Sequence, residues 1–175
     1  MADLRYPIGP YEAPRSVSES QIAQWIGEVE ALPARMRSAV SGLTPEQLDT
    51  PYRPGGWTLR QVVHHVPDSH LNGYVRFKWA LTEDEPAIKA YEEQLWAELA
   101  DSRVVPVQTS LGLLEQLHAR WTALLRSLTP GQWGRRYAHP VNGATELRQS
   151  IANYAWHGRH HLAHITTTIE REGWR

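Results

Sequence analysis

The 175-residue chain contains no cysteine. Disulfides and thiolate ligands are therefore excluded, and any transition-metal site must be built from nitrogen and oxygen donors. A large charge of one sign is also missing: 18 Lys and Arg stand against 19 Asp and Glu, for a formal net charge of −1 and a pI near 6.8. That balance argues against a nucleic-acid-binding surface, which is normally strongly basic. No apolar run approaches the roughly 18 residues that would cross a bilayer. The start, Met1-Ala2-Asp3-Leu4-Arg5, carries no charged and apolar leader, so the expectation is a cytoplasmic protein without membrane or nucleic-acid contact. There is no internal repeat and no low-complexity tract, and the length suits one well-cored domain over residues 1–175. Phenylalanine occurs once, whereas tryptophan occurs eight times. Indoles bury a large area and need one hydrogen-bond partner, so most should anchor the core, with a surplus for an aromatic-lined pocket or a homodimer interface.

Histidine is the other excess, with nine in the chain. Four, His157, His160, His161 and His164, fall within eight residues, and His64, His65 and His70 form a second cluster upstream. Neutral imidazole offers a lone pair at neutral pH, and two histidines four apart on a helix can reach one ion. At roughly 100° per residue, Ile151, Tyr154, Gly158, Leu162, Ile165 and Ile169 form the core-facing stripe of the last helix. His157 and His161 lie at the edge of that stripe and His160 nearly opposite it, toward solvent. The phase prefers His157/His161 over His160/His164, while His161/His164 also share a face. In the upstream cluster, Thr58 and Gln61 have the form of a capping box. From there Leu59, Val62, Val63, Val66, Gly73, Tyr74 and Phe77 form an apolar stripe that includes His70, as a hydrogen-bonded core residue. His64 and His65 flank the stripe on opposite sides, and periodicity does not choose between them. Pro67 predicts a kink beside His65.

Elsewhere the pattern predicts an all-α bundle of four long amphipathic helices. Ser18 and Gln21 open the first, bent at Pro33. Pro45 starts a short helix. Residues 82–108 form an acidic connection with a short helix around Tyr91 to Leu99. Ser110 caps the third long helix, whose stripe contains His118 as a packed histidine. His139-Pro140-Val141-Asn142-Gly143 is a tight turn of hairpin type. The fourth long helix runs from about Thr145 to Arg171, and residues 1–16 read as an extended arm laid on the body.

The runs Tyr6-Pro7-Ile8-Gly9, LDTPYRPGGWTLRQVVHHVPDSH (48–70), RFKWALTEDEPAIKAYEEQLWAEL (76–99), LHARWTALLRSLT (117–129) and YAWHGRHHLAHI (154–165) resemble the YfiT group of the DinB-like superfamily, proteins assigned as metal-dependent hydrolases or bacillithiol S-transferases. The resemblance covers nearly the whole chain. It implies a four-helix bundle with short extra helices, binding one divalent ion, zinc or nickel, through three histidines. Matching the motif after Gly55-Gly56-Trp57 selects His65, and matching the last helix selects His157 and His161. Pro67 departs from the small helix former usual in the group, and Asn153 from an apolar residue.

Three neutral histidines leave a coordination position open, the catalytic rather than the structural pattern. The ion keeps its double charge and lowers the pKa of a bound water or thiol. The chain then reads as a metal-dependent enzyme for a small-molecule substrate, activating water or a low-molecular-weight thiol such as bacillithiol. Asp68 is the candidate catalytic proton acceptor, with Asn153 and His164 placed to support the pocket. The alternative is a non-catalytic metal-binding bundle dimer.

Overall fold

A computed structural model describes residues 3–174; the first two residues of the arm and Arg175 lie outside them. Four long helices form the body: α1 (Glu19–Val40), α3 (Leu59–Thr82), α6 (Val107–Arg126) and α7 (Leu147–Arg171). Short helices α2 (Pro45–Leu48), α4 (Glu93–Trp96) and α5 (Asp101–Val104) decorate the connections. Helix α1 packs on α6 and α7, and α3 packs on the same two, so α1 and α3 face each other across one diagonal and α6 and α7 across the other. No helix among the described residues is long and apolar enough to cross a membrane.

Local chemistry sets the helix starts. Ser18, Thr44 and Thr58 each accept from the amide three residues on, and Gln21, Gln47 and Gln61 reach back to the cap amides. These reciprocal bonds satisfy donors that the first helical turn leaves free. The Gln61 amide also donates to the Ala97 carbonyl at 2.8 Å, tying the start of α3 to the segment after α4. Helices α1 and α3 run unbroken through Pro33 and Pro67.

Two expectations need correction. Ser110 does not cap α6, which begins at Val107 after Pro106; its hydroxyl instead meets His64 Nδ1 at 2.7 Å. The connection after α3 holds two short helices rather than one around Tyr91 to Leu99, α4 and α5 being separated by a turn. The tight turn expected at residues 139–143 is present, as the tip of an antiparallel hairpin, β1 (Arg136–His139) with β2 (Gly143–Glu146), in register Tyr137 to Thr145. It delivers the chain into α7 at Leu147.

The core is two apolar clusters stacked along the bundle axis. One contains Leu32, Met36, Leu59, Val62, Val66, Leu111, Leu114, Leu162 and Ile165. The other contains Ile22, Ile26, Phe77, Trp121, Leu125, Leu147, Ile151 and Tyr154. His70 on α3, His118 on α6 and His157, His160 and His161 on α7 fall between the stretches that feed these clusters. The polar layer is thus clamped between two dry ones. Gly73 permits the close approach there: a Cβ on it would stand 2.4 Å from the Tyr154 ring and 2.8 Å from Trp121.

The arm lies along α7. Trp156 Nε1 donates to the Gly9 carbonyl at 3.3 Å, His164 Nε2 to the Arg5 carbonyl at 3.1 Å, and the Tyr11 hydroxyl to the Gln149 carbonyl at 3.3 Å. Helix α7 is therefore covered on a face that the bundle itself leaves open.

Candidate metal centre

Helix α3 supplies His65, and α7 supplies His157 and His161. One nitrogen from each lies within 4.8 Å of the others. The tightest approach is between His65 Nε2 and His157 Nε2, at 3.2 Å. His65 and His161 are buried, and His157 is partly open. Burial, before the neighbouring imidazoles, holds His65 down to about 4 and His157 and His161 well below the ordinary histidine range. All three rings are consequently neutral at physiological pH, the form that binds a metal. His161 Nδ1 is buried with no hydrogen-bond partner among the described residues. Nitrogen donors turned toward one another suit a cation with no anionic ligand. The residues present fit a divalent ion.

His64 is turned away from this cluster. Its Nε2 donates to the Val105 carbonyl at 3.1 Å, so its Nδ1 accepts the Ser110 hydroxyl, and the ring fastens α3 to the start of α6. Both of its nitrogens are in use. His70 is fully buried; its Nε2 meets His157 Nδ1 at 3.1 Å and its Nδ1 meets His118 Nε2 at 2.9 Å.

His160 overturns an expectation. Helical phase points it to solvent, yet it is only 7% exposed. Trp156 stacks on it at 4.5 Å, and Tyr6 of the arm lies 5.8 Å away. Phase measured from the bundle core cannot register the arm, which makes a second burying surface. His160, His161 and His164 also bring a nitrogen each within 4.8 Å of one another. His164 stacks on Tyr52 at 3.9 Å.

The centre opens into a cavity of ≈ 730 Å³ between α3, α7, the arm, the turn at 52–57, residues 90–94 and the hairpin tip. This is the size of an ordinary small-molecule site. Gly55, at φ +67°, makes the turn that brings Trp57 over the histidines. The indole centroid lies 4.7 Å from that of His65 and 6.3 Å from that of His161, and its Nε1 donates to Gln94 Oε1 at 3.1 Å. Arg76 reaches the cavity and donates to the Tyr154 hydroxyl at 3.3 Å. Burial pushes the Tyr91 hydroxyl in the same wall up to about 12. Of the other residues singled out from the sequence, His164 lines the cavity, whereas Asp68 and Asn153 are not in its wall. Burial and, secondarily, Asp101 raise the Asp68 carboxyl to about 6. Tyr52, Arg76, Tyr91 and Gln94 were not singled out. Only the Gly-Gly-Trp turn offered a signal for this wall, because the others come from segments with no shared periodicity.

Residues 28–165 match the model of the DinB superfamily. The chain belongs to the DinB superfamily. It is 53% identical to a protein from Bacillus mycoides and 54% identical to one from Bacillus cereus, each over 99% of this chain and 100% of the relative. YfiT from Bacillus subtilis, a solved four-helix bundle of unusual topology, superposes with a TM-score of 0.97 at 50% identity, over 99% of this chain and 100% of its own. All three are described by name as candidate metal-dependent hydrolases. A further four-helix bundle protein, TT2238, shares the fold at 18% identity and a TM-score of 0.57.

Proposed function

We propose that the chain is a metal-dependent enzyme of the hydrolase type named for its relatives, in which His65, His157 and His161 hold one divalent ion, zinc or nickel. The reading is carried by one observation: three neutral imidazoles from two helices converge at the wall of a cavity large enough for a small-molecule substrate. Bound by three neutral ligands, such an ion keeps its full charge and an open position, and supplies the Lewis acidity that activates water or a low-molecular-weight thiol such as bacillithiol. Trp57 shields His65 and His161 and restricts water at the centre. Arg76, Tyr91 and Gln94 offer hydrogen-bonding groups along the wall, which suits a polar substrate. His164, its Nε2–H given to the Arg5 carbonyl, presents an unprotonated Nδ1 and supports the pocket from the arm side.

Anaerobic purification with elemental analysis identifies the ion. The loaded protein is then assayed with thiol plus monobromobimane against ester and amide substrates. Cobalt substitution separates the two chemistries, because a chain without cysteine has no thiolate band of its own. A band that appears on adding thiol and fades as the electrophile is consumed supports thiol transfer. No band, with ester or amide cleavage that His157→Ala abolishes, supports hydrolysis. Tight metal with neither activity would return the non-catalytic bundle.

A further inference from the structure

His118 Nδ1 lies 2.6 Å from the Val29 carbonyl of α1. A carbonyl only accepts, so this nitrogen carries the proton, and in a neutral ring Nε2 is then a bare lone pair. His70 Nδ1, 2.9 Å from that lone pair, must donate to it, which leaves His70 Nε2 bare in turn. His157 Nδ1, 3.1 Å from His70 Nε2, must donate next. Only one assignment closes the series: His157 carries its proton on Nδ1, and its Nε2, the atom 3.2 Å from His65 Nε2, is the free donor atom. His70 and His118 are fully enclosed, at 0% and 1% exposure, and the contacts that make up the series involve no carboxylate, so the neutral bookkeeping applies.

The origin of the series is itself written in the sequence. In an uninterrupted α-helix the Val29 carbonyl would accept from the amide of residue 33. Residue 33 is proline, which has no N–H. The carbonyl is thereby released from the helix and left for His118. A proline in the middle of α1 thus has its consequence at His157, reached through two intervening rings.

We propose that His70 and His118 are positioning residues of the metal centre: the run of bonds from the Val29 carbonyl through both rings locks His157 in its Nδ1–H tautomer and presents Nε2 to the ion. This role rests on His157 being a ligand, as argued above. It is an orienting role and not a proton wire, because the series ends on a backbone carbonyl that can take up no proton. The lock removes the competing tautomer, in which Nε2 would hold a proton and could not bind.

Two measurements on the full chain test it. In metal-free protein with isotope-labelled histidine, the two-bond proton–nitrogen NMR spectrum shows which ring nitrogen is protonated. The expected result is the Nδ1–H form for His118, His70 and His157. In parallel, zinc and nickel affinities are measured by competition with a chromogenic chelator for wild type, His118→Leu and His118→Gln. Leucine fills the space without donor or acceptor and is expected to weaken binding about 10–100-fold. Glutamine can donate to Val29 and accept from His70, and is expected to bind more tightly than the leucine variant. His157 protonated on Nε2 in the wild-type spectrum overturns the proposal, as does wild-type affinity in His118→Leu. If His118→Leu does not fold, the wild-type spectrum decides alone. Wild-type protein that binds neither ion overturns the metal reading itself, whereas an unchanged His118→Leu overturns only the positioning role.

Discussion

The Nε2 atoms of His65 and His157 lie 3.2 Å apart, although the residues are separated by 92 positions and sit on different helices. Each of these rings is held by other contacts, His157 by His70 and His65 by the Trp57 indole. The two donors are brought together by the packing of α3 on α7. A site built this way is preorganised, and its loss on substitution should be visible in metal content before it is visible in stability.

Accordingly, His65→Ala, His157→Ala and His161→Ala should each lose most of the bound metal, read as ion per chain after gel filtration. His64→Ala should keep it. That variant should instead be less stable by about 1–3 kcal/mol in urea unfolding, because the Ser110 and Val105 groups lose their partner. Full occupancy in His157→Ala would reverse the ligand assignment.

Acidification should destabilise the metal-free chain over a defined window. His65 and His118 titrate near 4 when folded and near their ordinary value of 6.5 when unfolded. Above 6.5 neither state is charged and stability is at its plateau. As pH falls from 6.5 toward 4 the unfolded chain takes up protons first, and stability is lost. Urea midpoints should therefore drop across that interval. The same burial shifts acid release of the metal below the ordinary histidine range, toward pH 4, so affinity should stay level nearer neutrality. Release centred at 6.5 would mean that the ligands are not buried as described.

Asp68→Asn should retain the metal, since Asp68 is neither among the clustered nitrogens nor in the cavity wall. Its effect on turnover should be smaller than that of His157→Ala. A loss of about 10²–10⁴-fold with metal retained, the scale of a general acid or base, would give its raised carboxyl the proton-transfer role.

Gly73→Ala should cost about 1–3 kcal/mol, the usual penalty for overpacking. The added methyl meets the Tyr154 ring at 2.4 Å, and that ring stands 5.3 Å edge-on to His70. Thermal unfolding and metal content should both fall. A variant as stable as wild type would show that the aromatic layer can yield.

Much of this protein is legible in the residues because short-range rules govern it. Capping boxes at Ser18 and Thr58 and the apolar stripes of α1, α3, α6 and α7 mark the long helices, and four of them make a bundle. The i,i+4 spacing of His157 and His161 is likewise a local property of one helix. Adjacent residues such as His64 and His65 differ by a rotation, and periodicity alone could not say which one turns to α7. Neither could it foresee His160 buried, since the arm that covers it is distant in sequence and lacks a period.

What the sequence by itself determined is the four long helices, the absence of sulfur ligands and the concentration of imidazoles on α3 and α7. Spacing along a helix is enforced by its own backbone hydrogen bonds. What only the tertiary structure decided is which nitrogens meet, which tautomers they adopt and what walls the cavity. Those depend on groups with no local relation: Val29 freed by Pro33, His118 from α6, Tyr52 and Trp57 from a turn, and Arg5 from the arm. Their contacts exist only after four helices have packed. A hydrogen bond between distant residues is fixed by the position of both helices at once, and no pattern within either helix encodes it.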